Sequence, residues 1–191
     1  MIPVWNNAAV LPPIRPGQPG HSPDRSPYRV SLVSVVERFA TSPERIRILK
    51  GLISYRAALA QTMISGGFQW LDGSFMEHKE VLVGEAPNDV DVVMFYQLPD
   101  GESQEDLFAA HPALFDNALV KATYLVDAYT HQLGLELKPF DVRQISYWYS
   151  MWSHRKKSGT WKGFVQVDLS TADDQAATAL LEQIQRERAS Q

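Results

Sequence analysis

A chain of 191 residues with 45% hydrophobic content can bury one sizeable core, so one domain is expected, with room for a small appendage. A net charge of -4 gives no overall attraction for nucleic acid or an acidic membrane, and any polyanion contact has to come from a local basic patch. The absence of cysteine excludes disulfides and thiolate metal sites, and His21, His78, His111, His131 and His154 share no zinc-type spacing, which leaves hard, oxygen-ligated cations as the metals to consider.

The N-terminal stretch "MIPVWNNAAVLPPIRPG" lacks the charged start and long apolar run of a signal peptide, and no apolar stretch approaches the roughly 20 residues of a membrane span. A soluble, cytoplasmic protein is expected. Residues 1–29 hold seven of the twelve prolines and read as an arm, with residues 30–191 as the domain proper. Ile2, Val4, Trp5, Val10, Leu11 and Ile14 are nonetheless too apolar for a freely solvated tail.

Ser42, Pro43 and Glu44 supply an N-cap, a first-turn proline and an acidic residue at the positive helix end. The helix they start carries Ile46, Leu49, Ile53, Ala57, Ala60 and Ile64 on one face and is predicted to run until Gly66-Gly67. "FQWLDG" reads as a short buried strand, Ser74 to Lys79 as a turn or single helical turn, and the loop beyond it ends at Asn88. "DVDVVMFY" has the β-branched and aromatic content of a strand and stops at Pro99-Asp100-Gly101. Residues 103–121 are predicted as two helical pieces broken at Pro112, and a third strand is predicted from Thr123. "DVRQISYWYSMW" follows as a helix, "SHRKKSGTWK" as a basic loop, "GFVQVDL" as a strand and Thr171 to Ala189 as an amphipathic helix. This alternation predicts an α/β or α+β domain with helices packed on a mixed sheet.

Asp89 and Asp91 share one face of their strand because side chains alternate, while Val90 and Val92 point into the opposite layer. Two carboxylates so placed raise each other's pKa unless a cation neutralises them, and magnesium, with its preference for oxygen, is suited to do so. A solvent-facing strand end is the bland explanation of the same pair.

An apolar strand, Gly73-Ser74, a loop and then Asp89-Val90-Asp91 in a second apolar strand resemble the signature of the nucleotidyltransferase superfamily that includes the DNA polymerase beta-like enzymes. "GFQWLDGSF", "PNDVDVV", "DAY", "SYWYSMWSHR" and "WKG" further resemble an uncharacterised bacterial family of nucleotidyltransferase-like proteins, over roughly residues 1–170. The resemblance implies a minimal nucleotidyltransferase fold. It implies that Gly73 and Ser74 hold nucleoside triphosphate phosphates at a helix start, and that Asp89 and Asp91 bind magnesium or manganese. The spacing of fourteen residues from Ser74 to the end of the loop is at the long end of that pattern.

Three residues are candidates for a third carboxylate, both metal-binding and catalytic: Asp127, Asp141 and Asp168. The superfamily's apolar-Asp-apolar pattern favours Asp127, whereas helix capping accounts for the other two. In the basic loop, Arg155 and Lys162 are candidates for phosphate or nucleic-acid contact, with Lys156, Lys157, Trp152 and Trp161 beside them, and a solvated loop is the alternative. His154 fits a turn hydrogen bond, and Tyr147, Trp148 and Tyr149 fit helix packing. Ser74 has no identifiable base, so a hydrolase triad is rejected.

The expected activity is magnesium-dependent transfer of a nucleoside monophosphate from a triphosphate to a hydroxyl of RNA, protein or a nucleotide. Resemblance places such proteins in bacterial toxin-antitoxin and antiviral defence systems. A non-catalytic module of the same fold, binding a partner protein or RNA, is the alternative expectation.

Overall fold

The computed structural model describes residues 1–190. Five strands form one mixed sheet in the order β1-β5-β2-β3-β4, where β1 is Tyr28–Arg29, β2 Gly66–Asp72, β3 Val90–Gln97, β4 Val126–Gln132 and β5 Val165–Asp168. β2 runs antiparallel to both β3 and β5, while β4 is parallel to β3. A parallel neighbour needs a crossover, here built from α4 (Gln104–Ala110), α5 (Pro112–Phe115) and α6 (Asn117–Tyr124).

Alternation along the strands sorts their side chains into two layers. Val90, Val92, Met94 and Tyr96 join Leu71, Val126 and Ala128 in the main core, with α1 (Leu32–Phe39), α2 (Pro43–Leu59) and α8 (Asp174–Ala189) supplying Phe39, Leu49, Leu52 and Leu181. Trp70, Val93, Phe95 and Phe164 form a smaller aromatic layer on the opposite face, under Ile145, Trp148 and Trp152 of α7 (Pro139–Trp152). No helix among the described residues is long and apolar enough to cross a membrane.

Several boundaries differ from expectation. α2 starts as predicted, with the Ser42 hydroxyl accepting from the Arg45 amide, but it ends at Leu59 and a turn covers the next residues. Residues 103–121 form three helices rather than two. Asp116 caps a separate α6 by accepting from the Leu119 amide at 2.9 Å, which extends helix through Tyr124 and delays the strand to Val126. β1 and α1 fall in a stretch where no element was predicted, and Ser31 caps α1 through the Ser34 amide.

The proline-rich arm is packed into the fold. Ile2 and Leu11 are in the main core, the Gly163 amide donates to the Leu11 carbonyl at 2.7 Å, and the Trp5 indole donates to the Met76 carbonyl at 2.7 Å. Trp5 also stacks on His78 and lies under the Arg38 guanidinium.

Candidate functional site

Register brings three carboxylates into one row. Asp72, the last residue of β2, pairs with Asp91 on β3, and Asp91 pairs with Asp127 on β4. Paired residues on adjacent strands point the same way with backbones about 5 Å apart, so the row Asp72-Asp91-Asp127 ends the aromatic face of the sheet. The next row along that face is Trp70-Val93-Tyr129. Asp89 stands just before β3, two residues from Asp91.

Gly73 turns the chain out of β2 with φ +80° and ψ -164°, a conformation that a side chain resists. A Cβ there would lie 2.6 Å from Asp91 Oδ2, so glycine is required for the turn to pack on that carboxylate. Ser74 opens only a three-residue 3-10 turn, Ser74–Met76, before the five-residue α3, Lys79–Val83. This matches the single turn expected here, whereas the resemblance implied that Gly73-Ser74 opens a helix. The fully buried Arg45 fixes the segment, donating to the Phe75 carbonyl at 2.7 Å and the Glu77 carbonyl at 2.6 Å while pairing with Glu80.

Two lysines neutralise the carboxylates from opposite sides. The Lys121 ammonium lies 2.7 Å from Asp89 Oδ2 and 2.8 Å from Asp127 Oδ2, and the Asn117 amide donates to Asp127 Oδ1 at 2.6 Å. Lys162, buried behind the row, lies 3.0 Å from Asp72 Oδ1 and 3.2 Å from Glu77 Oε1, and donates to the Gly73 carbonyl. The contact with Asp72 is an ion pair without hydrogen-bond geometry. Arg155 donates to Glu77 Oε2 at 3.0 Å and to the Ala8 carbonyl at 2.7 Å. Lys162 and Arg155 are thus engaged in holding the Gly73-Ser74 turn and the arm, while Lys156 and Lys157 are exposed.

These surroundings set the proton affinities. Burial pushes Asp72 up to about 7 against the pull of Lys162. Burial, then the charges of Asp89 and Asp127, pushes Asp91 up to about 6. Burial also favours neutral Asp127, but Asn117 and Lys121 outweigh it and hold that carboxyl below its ordinary value. Lys121 is held charged by its hydrogen bonds to Asp127 and Asp89. Burial alone would lower Lys162, yet Asp72 and Glu77 keep it above its ordinary value.

The structure brings together Asp89, Asp91, Asp127 and Gly73. Asp168 pairs with Phe68, four residues before Asp72, which puts it about 13 Å along the sheet from the row, and it accepts from the Ser170 amide at 2.7 Å. Asp141 accepts from the Lys138 amide in a capping box of α7. His154 bonds the Ser150 carbonyl as its turn position suggested. Tyr147 is exposed, whereas Trp148 packs on the aromatic layer and against Tyr129.

Sequence reasoning missed Asp72, Asn117, Lys121 and Glu77. Asp72 was accessible, since period two from Trp70 puts it on the Asp91 face once β2 and β3 pair; Lys121 had no local signal. As arranged, no group of three or more His, Asp or Glu side chains among the described residues converges on a metal position. The Asp89 and Asp127 carboxylates turn instead toward Lys121.

The fold and site define a mixed-sheet α/β protein with a row of strand-end carboxylates beside a glycine turn. The chain belongs to a family of unknown function, DUF6932, whose model matches residues 3–168. No curated protein and no solved structure matches it.

Proposed function

We propose that the acidic row binds a divalent cation with a nucleoside triphosphate, and that the protein transfers a nucleoside monophosphate to a hydroxyl of RNA, protein or a nucleotide. The observation that carries this reading is the register that sets Asp91 beside Asp127, with Asp89 two residues away and Gly73 packed on the Asp91 carboxylate. The donor set is all oxygen, suited to magnesium or manganese, and Asp91 carries a charge that burial and its acidic neighbours leave under-compensated. Asp89, Asp91 and Asp127 would hold the ion, which would neutralise phosphate charge and make the acceptor hydroxyl easier to deprotonate.

The protein's own groups have separable tasks. Asn117 fixes the Asp127 carboxylate on the β4 side, where it can orient an acceptor hydroxyl. Lys121, on a flexible stem with its side chain 46% exposed, can release Asp89 and Asp127 and turn to a phosphate oxygen. Lys162 and Arg155 keep the turn in place from behind.

One observation favours a second reading. The Lys121 ammonium already neutralises two of the carboxylates, which is what a non-catalytic module that binds a partner protein or RNA needs to stay folded without a metal ion. Incubating the purified protein with each α-labelled ribonucleoside triphosphate and magnesium or manganese, then separating protein, RNA and small-molecule products, decides between them. Label transfer that Asp91→Asn abolishes supports the enzyme. No transfer, together with no cation-dependent rise in melting temperature, leaves the binding module.

A further inference from the structure

A second polar site lies at the other edge of the sheet, in the arm and β1. Residues 13–15 and 24–26 run side by side: the Arg15 amide donates to the Asp24 carbonyl, the Ser26 amide donates to the Pro13 carbonyl, and Ile14 pairs with Arg25. This ladder closes the Gly- and Pro-containing loop "PGQPGHSP" and opens a cavity of about 490 Å³ against β1 and β5. The volume falls within the few hundred to a thousand Å³ of small-molecule sites.

Arg15, Asp24, Arg25, Tyr28, Arg29 and Gln166 supply its chemistry. Three guanidiniums against one carboxylate leave two positive charges on the wall. Asp24 is spent on Arg15, whose Nε lies 2.5 Å from Asp24 Oδ2, and the Arg15 guanidinium also sits over the Tyr28 ring. Arg25 donates through Nη1 to the Gly20 carbonyl at 3.2 Å, but its Nε–H is buried without a partner. A ligand in the open cavity cannot reach that shielded Nε–H, so the preference for an anion rests on the two net positive charges of the wall.

Gln166 adds a neutral donor by a simple constraint. The Trp70 indole can only donate, and it donates to Gln166 Oε1 at 3.1 Å, which fixes the amide orientation and leaves the Gln166 NH₂ group to donate elsewhere. Gln166 also pairs in register with Arg29, so both side chains emerge on the same face at this edge. Arg25, Arg29 and Gln166 therefore offer a fork-shaped set of donors that fits a tetrahedral oxyanion better than a single ammonium would.

We propose that this cavity binds a phosphate group, carried by a small molecule or by a nucleic-acid backbone. β1 and β3 are three strand spacings apart, about 14 Å, with Tyr149 of α7 between them on Trp70. The anion site is thus separate from the carboxylate row and does not depend on its function.

Calorimetric titration of the full chain with inorganic phosphate, pyrophosphate and a short single-stranded oligonucleotide tests the proposal. At least one of the three is expected to bind, and Arg25→Met with Arg29→Met should weaken it by about tenfold or more, the loss expected for charged hydrogen bonds. Asp89→Asn with Asp91→Asn should leave this binding unchanged, which separates it from the carboxylate reading. Tight binding of phosphate or pyrophosphate identifies a small-molecule site, whereas binding of the oligonucleotide alone, with a steep salt dependence, identifies a backbone contact. Should the double arginine variant misfold, the exposed Arg29→Met alone is expected to give a severalfold loss. Absence of binding by all three ligands at millimolar concentration, or equal binding by wild type and the arginine variants, overturns the proposal.

Discussion

Replacing Gly73 by alanine tests the packing of the site on its own terms. Two costs add. The backbone at φ +80° and ψ -164° lies in a region almost reserved for glycine, worth about 1–3 kcal/mol for any other residue. The new Cβ would meet Asp91 Oδ2 at 2.6 Å and Cγ at 2.8 Å, so the carboxylate must leave its rotamer, at about 0.5–1.5 kcal/mol. The smaller entropy of the unfolded alanine chain returns less than about 1 kcal/mol. A net loss of about 2 kcal/mol is expected, equivalent to about 5 °C in melting temperature for a domain of this size. Gly84→Ala is the control, because Gly84 also has positive φ but nothing lies within 4 Å of a Cβ there. It should lose about 1 kcal/mol of stability and keep any magnesium-induced rise in melting temperature, while Gly73→Ala loses that rise as well. Urea unfolding of both variants, with and without magnesium, gives the comparison. If Gly73→Ala unfolds within about 0.5 kcal/mol of wild type, the close contact with Asp91 is not present.

With chelator present, stability should fall as pH rises from about 4 to about 7, because Asp72 and Asp91 hold their protons in the folded state to about 7 and about 6 and lose them far earlier when unfolded. Thermal melts across that window check it, and Asp72→Asn should flatten the fall nearest pH 7. Lys121→Met is expected to strengthen magnesium binding by removing a competing cation; unchanged affinity in calorimetry would show that the ammonium and the ion do not share a place. On the proposed activity, Asp127→Asn should abolish transfer while Asp168→Ala costs about 1 kcal/mol and spares the rate per folded molecule, measured by turnover beside urea unfolding.

The fold class was legible because the strands carry their own alternation. Val90 and Val92 point to the main core and Asp91 to the other face, as period two requires. The α2 start was legible from three residues, Ser42, Pro43 and Glu44, whose effects are local. What failed to show depends on contacts distant in sequence. Arg45, in the first turn of α2, carries no sequence signal for burial, yet it is fully buried because the Phe75 and Glu77 carbonyls receive it. Lys162 reads as a candidate phosphate contact in a basic loop, yet Asp72 and Glu77, more than eighty residues earlier, draw it inside. The arm's prolines suggested separation from the domain, while the burial of Ile2, Val10 and Leu11 reflects the apolar content of the same segment.

The two lysines at the row differ in a way that bears on what it can do. Lys162 is buried with Asp72 and Glu77, and a buried ion pair broken on one side leaves an uncompensated charge, at about 3–5 kcal/mol. It is therefore a fixed part of the turn. Lys121 is half-exposed and its partners are one-fifth exposed, so water screens the pairs and each is worth about 0–1 kcal/mol. If the row binds a divalent cation as proposed, an ion neutralising Asp89 and Asp127 would displace Lys121 at small cost and would also ease the repulsion on Asp91, whose charge no lysine in the structure contacts directly. A row held by one immobile ammonium and covered by one displaceable ammonium could take up and release such a cation without rebuilding its backbone, which a row neutralised only by buried lysines could not do.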